Sequence, residues 1–219
     1  GELIAKASKG DTLVITFSGH GTYQPDTDGD EVDGLDEALC PYDLQTNGEA
    51  LTDDEIRNLF LTRKSGVRIV LISDSCHSGT VTRAAKAEKD ADSRPRFMPM
   101  GNWLPDKLLP RNRAGKVAAT MTGPAGTTPF FGAYSNKLGD LLLSGCKEGP
   151  NNFSYDARIK GRFNGAFTYY ALKALKAMKP GATYAEWHKA ITKYLPSASY
   201  PQSPQIVGSA TARKGKIFE

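Results

Sequence analysis

Paired cysteines are the first thing this 219-residue chain lacks. Its three cysteines, Cys40, Cys76 and Cys146, are odd in number and show no CxxC spacing, so they form neither a disulfide framework nor a structural zinc motif, and at least one thiol is free. Long apolar runs are absent too, and no segment of the sequence is suited to crossing a bilayer, so no membrane partner is expected. Charge of one sign is scarce: 28 Lys and Arg against 24 Asp and Glu leave only +4. The basic residues are scattered or gathered over 82–116 without interleaved aromatics, which argues against nucleic acid as a partner. There is no internal repeat and no low-complexity tract. The opening residues carry no basic n-region ahead of an apolar h-region, which points to a cytoplasmic protein. They read instead as the tail of a helix entering a strand, so part of the natural protein is expected upstream of Gly1. What is present, 39% hydrophobic and 24% charged residues, suits one domain with a proper core.

Hydrophobic runs give the organisation. Residues 11–18, "DTLVITFS", and 66–73, "GVRIVLIS", are β-branched runs bounded by glycine and read as buried strands. Between them lies an Asp- and Gly-rich loop from Gly21 to about Asp43, then "LTDDEIRNLFL" at 51–61. There Thr52 is placed to cap a helix with Glu55 three residues on. Strand, helix, strand makes the two strands parallel, with their C-terminal ends on one edge. From Gly79 to about Gly132 periodicity fades and a long loop is expected, with a hint of a strand at 115–121. Further on, 139–146 is strand-like, 165–178 is an amphipathic helix ended by Pro180-Gly181, 184–194 is another helix, and 205–207 is a short last strand. The alternation implies an α/β sandwich around a mostly parallel sheet.

The two strand tips carry the chemistry. The first ends in "SGHG" and the second in "DSCHSG", which sets His20 and Cys76 on the same rim. A thiol attacks as its thiolate, and histidine, whose ordinary pKa lies near neutrality, is the natural base for it. Gly19 and Gly21 allow close approach of the backbone to a substrate carbonyl, and the amides of Gly21 and Cys76 are the expected oxyanion-hole donors. Cys40 and Cys146 read as packing or surface thiols, and His77 and His188 as structural.

"SGHGT", "DSCHSG" and, between them, "DGDEVDGLDEALCPYD" followed by "LTDDEI" resemble the metacaspases, caspase-fold cysteine peptidases of plants, fungi, protists and bacteria. The histidine of caspases likewise precedes the nucleophile by roughly 50 residues. The likeness runs over about residues 9–80 and resumes at "LLLSGCKEGPNNFSYDARIKGRFNGAFTYYAL", which resembles a small-subunit portion. It implies one caspase-like three-layer domain over 1–219, made of a large-subunit part (1–80), a loop or linker (81–135) and a small-subunit part (136–219), in the order of type I and bacterial members.

By the same resemblance Cys76 is the nucleophile and His20 the base, and Ser18 and Asp74 line a pocket for a basic P1 side chain. Protein or peptide substrates are then cut after Arg or Lys by a monomer. A carboxylate is suited to that recognition, because it pairs with a cation through charge-assisted hydrogen bonds. Asp74 also reads, in bland terms, as a cap for a helix after the cysteine. Relatives add a first strand and further acidic pocket residues from a region N-terminal to Gly1. The resemblance implies regulation by calcium through Asp36, Asp53 and Asp54, hard oxygen donors of the kind calcium takes. The bland alternative for Asp53 and Asp54 is an acidic first helical turn, and a further family aspartate past the cysteine has no counterpart, Arg83 falling there. "DTDGDEVDGLDE" lacks the spacing of an EF-hand. The basic loop is also a self-cleavage candidate, at Arg83, Lys86, Lys89 or Arg94. Two other readings stay open: a non-catalytic caspase-like binding domain, and a legumain-like or gingipain-like peptidase with another P1 preference.

Overall fold

The computed structural model describes residues 1–27, 29, 34–44, 48–76, 92–110, 140–147 and 153–219. Its centre is a four-stranded sheet of β1 (Thr12–Ser18), β5 (Arg68–Asp74), β7 (Leu141–Ser144) and β10 (Gln205–Gly208), in the order β1-β5-β7-β10. The first three strands are parallel and β10 runs antiparallel to β7. Strand alternation splits the core in two. Ile69, Leu71 and Leu142 face α1 (Glu2–Lys6) and α2 (Asp53–Leu61), packing with Ile4, Ile56 and Phe60. Val70, Leu141 and Leu143 face α3 (Ala166–Lys176), α4 (Tyr184–Ile191) and α5 (Ala210–Arg213), packing with Phe167, Ala171, Trp187 and Ile191. The result is the expected three-layer α/β sandwich. β1, expected to be buried, is an edge strand among the described residues, and its Val14 is 38% exposed.

The capping box is formed as the sequence implies. Thr52 Oγ1 accepts from Glu55 N at 3.1 Å, and Glu55 Oε2 accepts from Thr52 N at 3.1 Å. Thr52→Ala is expected to cost about 1 kcal/mol of stability, read as a fall in the urea midpoint at unchanged slope.

Two small antiparallel sheets sit at the C-terminal edge of the central one. β2 (Gly21–Pro25), β3 (Leu35–Leu39) and β4 (Leu51–Thr52) form the first, so the expected Asp- and Gly-rich loop contains a hairpin. β6 (Ser93–Pro95), β8 (Tyr155–Ile159) and β9 (Arg162–Gly165) form the second. The segment expected to be a structureless loop therefore supplies a strand, and two short 3-10 turns, Met100–Asn102 and Asp106–Leu108, follow it. The strand expected at 115–121 lies outside the described residues.

Candidate active site

β1 and β5 pair in register along their whole length, ending with Ser18 opposite Asp74. The ladder continues one step further, Gly19 N donating to Asp74 O at 3.2 Å. His20, Gly21 and Cys76 thus leave the sheet at one rim. There the amide of Gly21 donates at 3.0 Å, and that of Cys76 at 3.3 Å, to one and the same atom, the carbonyl oxygen of Arg96. The two amides expected to form an oxyanion hole do converge on a single carbonyl.

The side chain of that arginine fills a pocket and is almost wholly buried, with 7% of the residue exposed. Its Nη1 donates to Ser18 Oγ at 2.7 Å and to Asp74 O at 2.8 Å, and lies 3.6 Å from Asp74 Oδ2. Its other edge meets Asp156 on β8, with Nε 2.9 Å and Nη2 2.8 Å from Oδ1. A guanidinium presents its donors as a rigid planar fork, so carboxylates on two sides fix its plane as well as its charge. Asp74 is itself held by donors only. Ser154 Oγ donates to Oδ1, and the amide and hydroxyl of Thr168 donate to Oδ2 at 2.8 and 2.6 Å. Thr168 lies in the first turn of α3, so Asp74 caps a helix as well as facing the arginine. That helix is far along the chain, and the one expected after Cys76 falls outside the described residues.

The pocket walls are pared to the backbone. A Cβ on Gly165 would lie 2.7 Å from Arg96 Cζ, and one on Gly145 would lie 2.9 Å from Asp74 Oδ1. Gln202, fully buried, braces them: Nε2 donates to Gly145 O at 2.9 Å and Oε1 accepts from Tyr155 N at 3.2 Å.

Burial lowers the pKa of His20 from its ordinary 6.5; Asp156 pulls it up, and Arg96 adds to the lowering. The imidazole is therefore neutral at neutral pH and able to accept a proton. Because the folded value lies below the unfolded one, the unfolded chain binds the extra proton as pH falls below 6.5, and stability is lost in acid. His20→Gln is expected to flatten that acid loss, and an NMR titration of the native imidazole should find its midpoint under 6.5. Cys76 is fully buried, packed with Cys146, Phe153, Phe97 and Tyr155. Cys146 points its thiol at Ser75 O, 3.5 Å away, and burial pushes the Cys40 thiol up to about 12. Both behave as packing thiols.

Comparison with known proteins gives a family likeness. The sequence profile described as "Metacaspase, peptidase C14 domain" matches residues 1–85. Metacaspase-1 of Arabidopsis thaliana is 34% identical over 184 residues, covering 83% of this chain and 43% of its own. Metacaspase-1A of Neurospora crassa is 31% identical over 223 residues, covering 94% and 48%. The crystal structure of a protein from Geobacter sulfurreducens superposes with a TM-score of 0.64 at 30% identity, covering 99% of this chain and 74% of that one. The chain is metacaspase-like over most of its length. Its sandwich is the caspase-like one, and it spans about half the length of the curated metacaspases it matches.

Against the metacaspase pattern, the pocket residues that sequence reasoning missed are Asp156, Thr168, Ser154 and Arg96. The first three lie in the stretch that resembles a small subunit, where nothing local marks them as facing Asp74. Arg96 lies between the two stretches whose motifs carry the resemblance. Of the residues expected to hold calcium, Asp36 is buried on β3, and Asp54 pairs with Arg57 at 3.1 Å in the first turns of α2. Among the described residues no group of three or more His, Cys, Asp and Glu side chains is arranged to hold a metal ion. His188 Nε2 meets Pro204 O at 3.1 Å, in keeping with a structural role. Of the self-cleavage candidates, Arg94 lies on β6 with its guanidinium 4.8 Å from the Phe163 ring centre. Arg83, Lys86 and Lys89 lie outside the described residues, as does His77. No helix among the described residues is long and apolar enough to cross a membrane.

Proposed function

We propose that the protein is a cysteine endopeptidase that hydrolyses the bond following an arginine or lysine, with Cys76 as nucleophile and His20 as general base. One observation carries this reading: a single arginyl residue has its carbonyl oxygen on the amides of Gly21 and Cys76 while Ser18, Asp74 and Asp156 hold its guanidinium. That is the pose an arginyl substrate requires. His20, neutral at working pH, takes the thiol proton, and the thiolate adds to the carbonyl carbon. The charge that grows on oxygen is met by amides already aimed at it, and each such donor is worth about 3–4 kcal/mol at the transition state. His20 returns the proton to the departing amine, and water hydrolyses the thioester.

The test is a panel of fluorogenic peptides ending in Arg, Lys, Asp or Asn, run with and without calcium because the family likeness suggests calcium control. Arg and Lys peptides should be turned over at least about a hundredfold faster than the other two, the scale of leaving a buried charge unpaired. Alkylation of Cys76, located by peptide mapping, should stop the reaction. Turnover of the Asp or Asn peptide instead would overturn the pocket assignment. Binding of the Arg peptide without product under every condition would make this a recognition domain rather than an enzyme.

A further inference from the structure

Beside the candidate active site, between α3 and the turn that joins β8 to β9, lies a cavity of about 560 Å³, a size that suits a small organic ligand. One wall, with Ser18, Gly165 and Thr168, is shared with the arginine pocket, and the rest carries charge of one sign. Lys160, Lys173 and Lys176 line it together with Arg96, and among the described residues its lining contains no Asp or Glu. Arg96 is matched by Asp74 and Asp156. The lysines differ: among the described residues none of the three forms an ion pair with a carboxylate. Lys173 rests against the Tyr194 ring, its Nζ 4.5 Å from the centre. Like charges gathered in a concave space focus their field there and draw in anions.

Two of these lysines have a plain local explanation. Lys173 and Lys176 lie in the last turn of α3, where a cation suits the helix dipole, although at three residues apart they share a face and repel. Lys160 has no such explanation. It is the first of two residues in the turn closed by the pair Ile159–Arg162, with φ 53° ahead of Gly161 at φ 79°. Positive φ at both central residues marks a type I′ turn, which Asn-Gly fills without strain. Lysine at that position costs backbone energy, and it brings a third ammonium group to the same cavity from a different element.

We propose that this cavity binds a compact polyanion carrying two or more phosphate groups, held by Lys160, Lys173 and Lys176. Three ammonium groups on two elements match several negative charges rather than one. Each is a point charge with three donors, suited to phosphate oxygens arriving from any direction. The proposal is independent of the peptidase reading.

Isothermal titration calorimetry of the whole chain with tripolyphosphate tests it, at low and at physiological salt, with orthophosphate and ATP as further probes. One site per chain is expected, weakening as salt rises, with orthophosphate at least about tenfold weaker because it reaches fewer of the ammonium groups. Lys160→Asn decides between a site and a solvated turn. Tripolyphosphate affinity should fall about tenfold, while the urea midpoint without ligand stays level or rises, because asparagine suits the turn. Lys176→Gln should show the same loss of affinity, and Lys214→Gln, an exposed lysine just after α5, none. If Lys160→Asn does not fold, as judged by circular dichroism, Lys176→Gln carries the test. ATP binding more tightly than tripolyphosphate makes the ligand a nucleotide, with its base against Tyr169; ATP binding no more tightly makes it the phosphate chain alone. Absence of binding, several equivalent sites per chain, or a loss in Lys214→Gln equal to that in Lys160→Asn and Lys176→Gln overturns the proposal. So does wild-type affinity in both cavity variants.

Discussion

Cys76→Ala is expected to lower kcat/KM for an Arg-linked peptide by about five to six orders of magnitude, the scale on which removing the nucleophile of a hydrolase acts. The rim amides and the guanidinium pocket survive the change, so binding and catalysis should separate. In the Cys76→Ala, Arg96→Gln double variant, a labelled Arg peptide should bind with ordinary affinity and stay intact. Stability should fall little, because one sulfur is lost from a cluster that still contains Cys146, Phe153, Phe97 and Tyr155. Two measurements check this: steady-state kinetics with the peptide, and fluorescence anisotropy with its uncleaved analogue. A surviving rate would move the nucleophile elsewhere. Cys146 is the neighbouring thiol, pointed at Ser75 O, and Cys146→Ala is the matching control. It is expected to leave the rate near that of wild type, because Cys146 contributes no amide to the carbonyl that Gly21 and Cys76 share.

Those parts of the fold that report on themselves locally were legible in the sequence. Val, Ile and Leu runs gave β5 and β7, because a strand buried by helices on both faces is apolar at nearly every position, while the β-branched run of β1 marked the strand but not its half-exposed edge position. Thr52 and Glu55 marked the start of α2 by chemistry confined to one helical turn. The strand tips pointed to His20, Gly21 and Cys76 on one rim, where the amides of Gly21 and Cys76 both meet Arg96 O. The hairpin of β2 and β3 was hidden because its sequence, "LDEAL" on one side, carries Asp36 and Glu37 at positions that are buried only by tertiary packing. The hydrophobic pattern used to read strands has no access to that. β6 is an extreme case: "SRP" has no strand signal, and it is a strand because β8 and the rim offer it partners. Asp156, Ser154 and Thr168 were invisible for a related reason. Each is an ordinary polar residue in its own neighbourhood, and each acquires a role only where α3 and β8 meet the end of β5.

That convergence predicts the effect of Asp74→Asn, which should cost the Arg-linked peptide about a hundredfold to a few thousandfold in kcat/KM, the equivalent of breaking a buried ion pair from one side. The exchange keeps the shape and removes the charge, yet geometry makes it harsher than a simple neutralisation. Asp74 is surrounded by donors: Ser154 Oγ on one oxygen, Thr168 N and Oγ1 on the other, and Arg96 Nη1 alongside. An amide has one acceptor and one donor end, so either orientation of Asn sets its NH2 against another donor. The same change weakens the N-terminal cap of α3, so stability should fall as well, by about 1–3 kcal/mol. Asp156→Asn separates the two contributions. Its carboxylate meets the same guanidinium but is 25% exposed, and it caps no helix, so it should weaken recognition of Arg with less effect on the urea midpoint. A loss of stability without a loss of selectivity for Arg over an uncharged P1 residue in Asp74→Asn would mean that Asp74 serves the helix alone. The pocket's preference would then rest on Asp156.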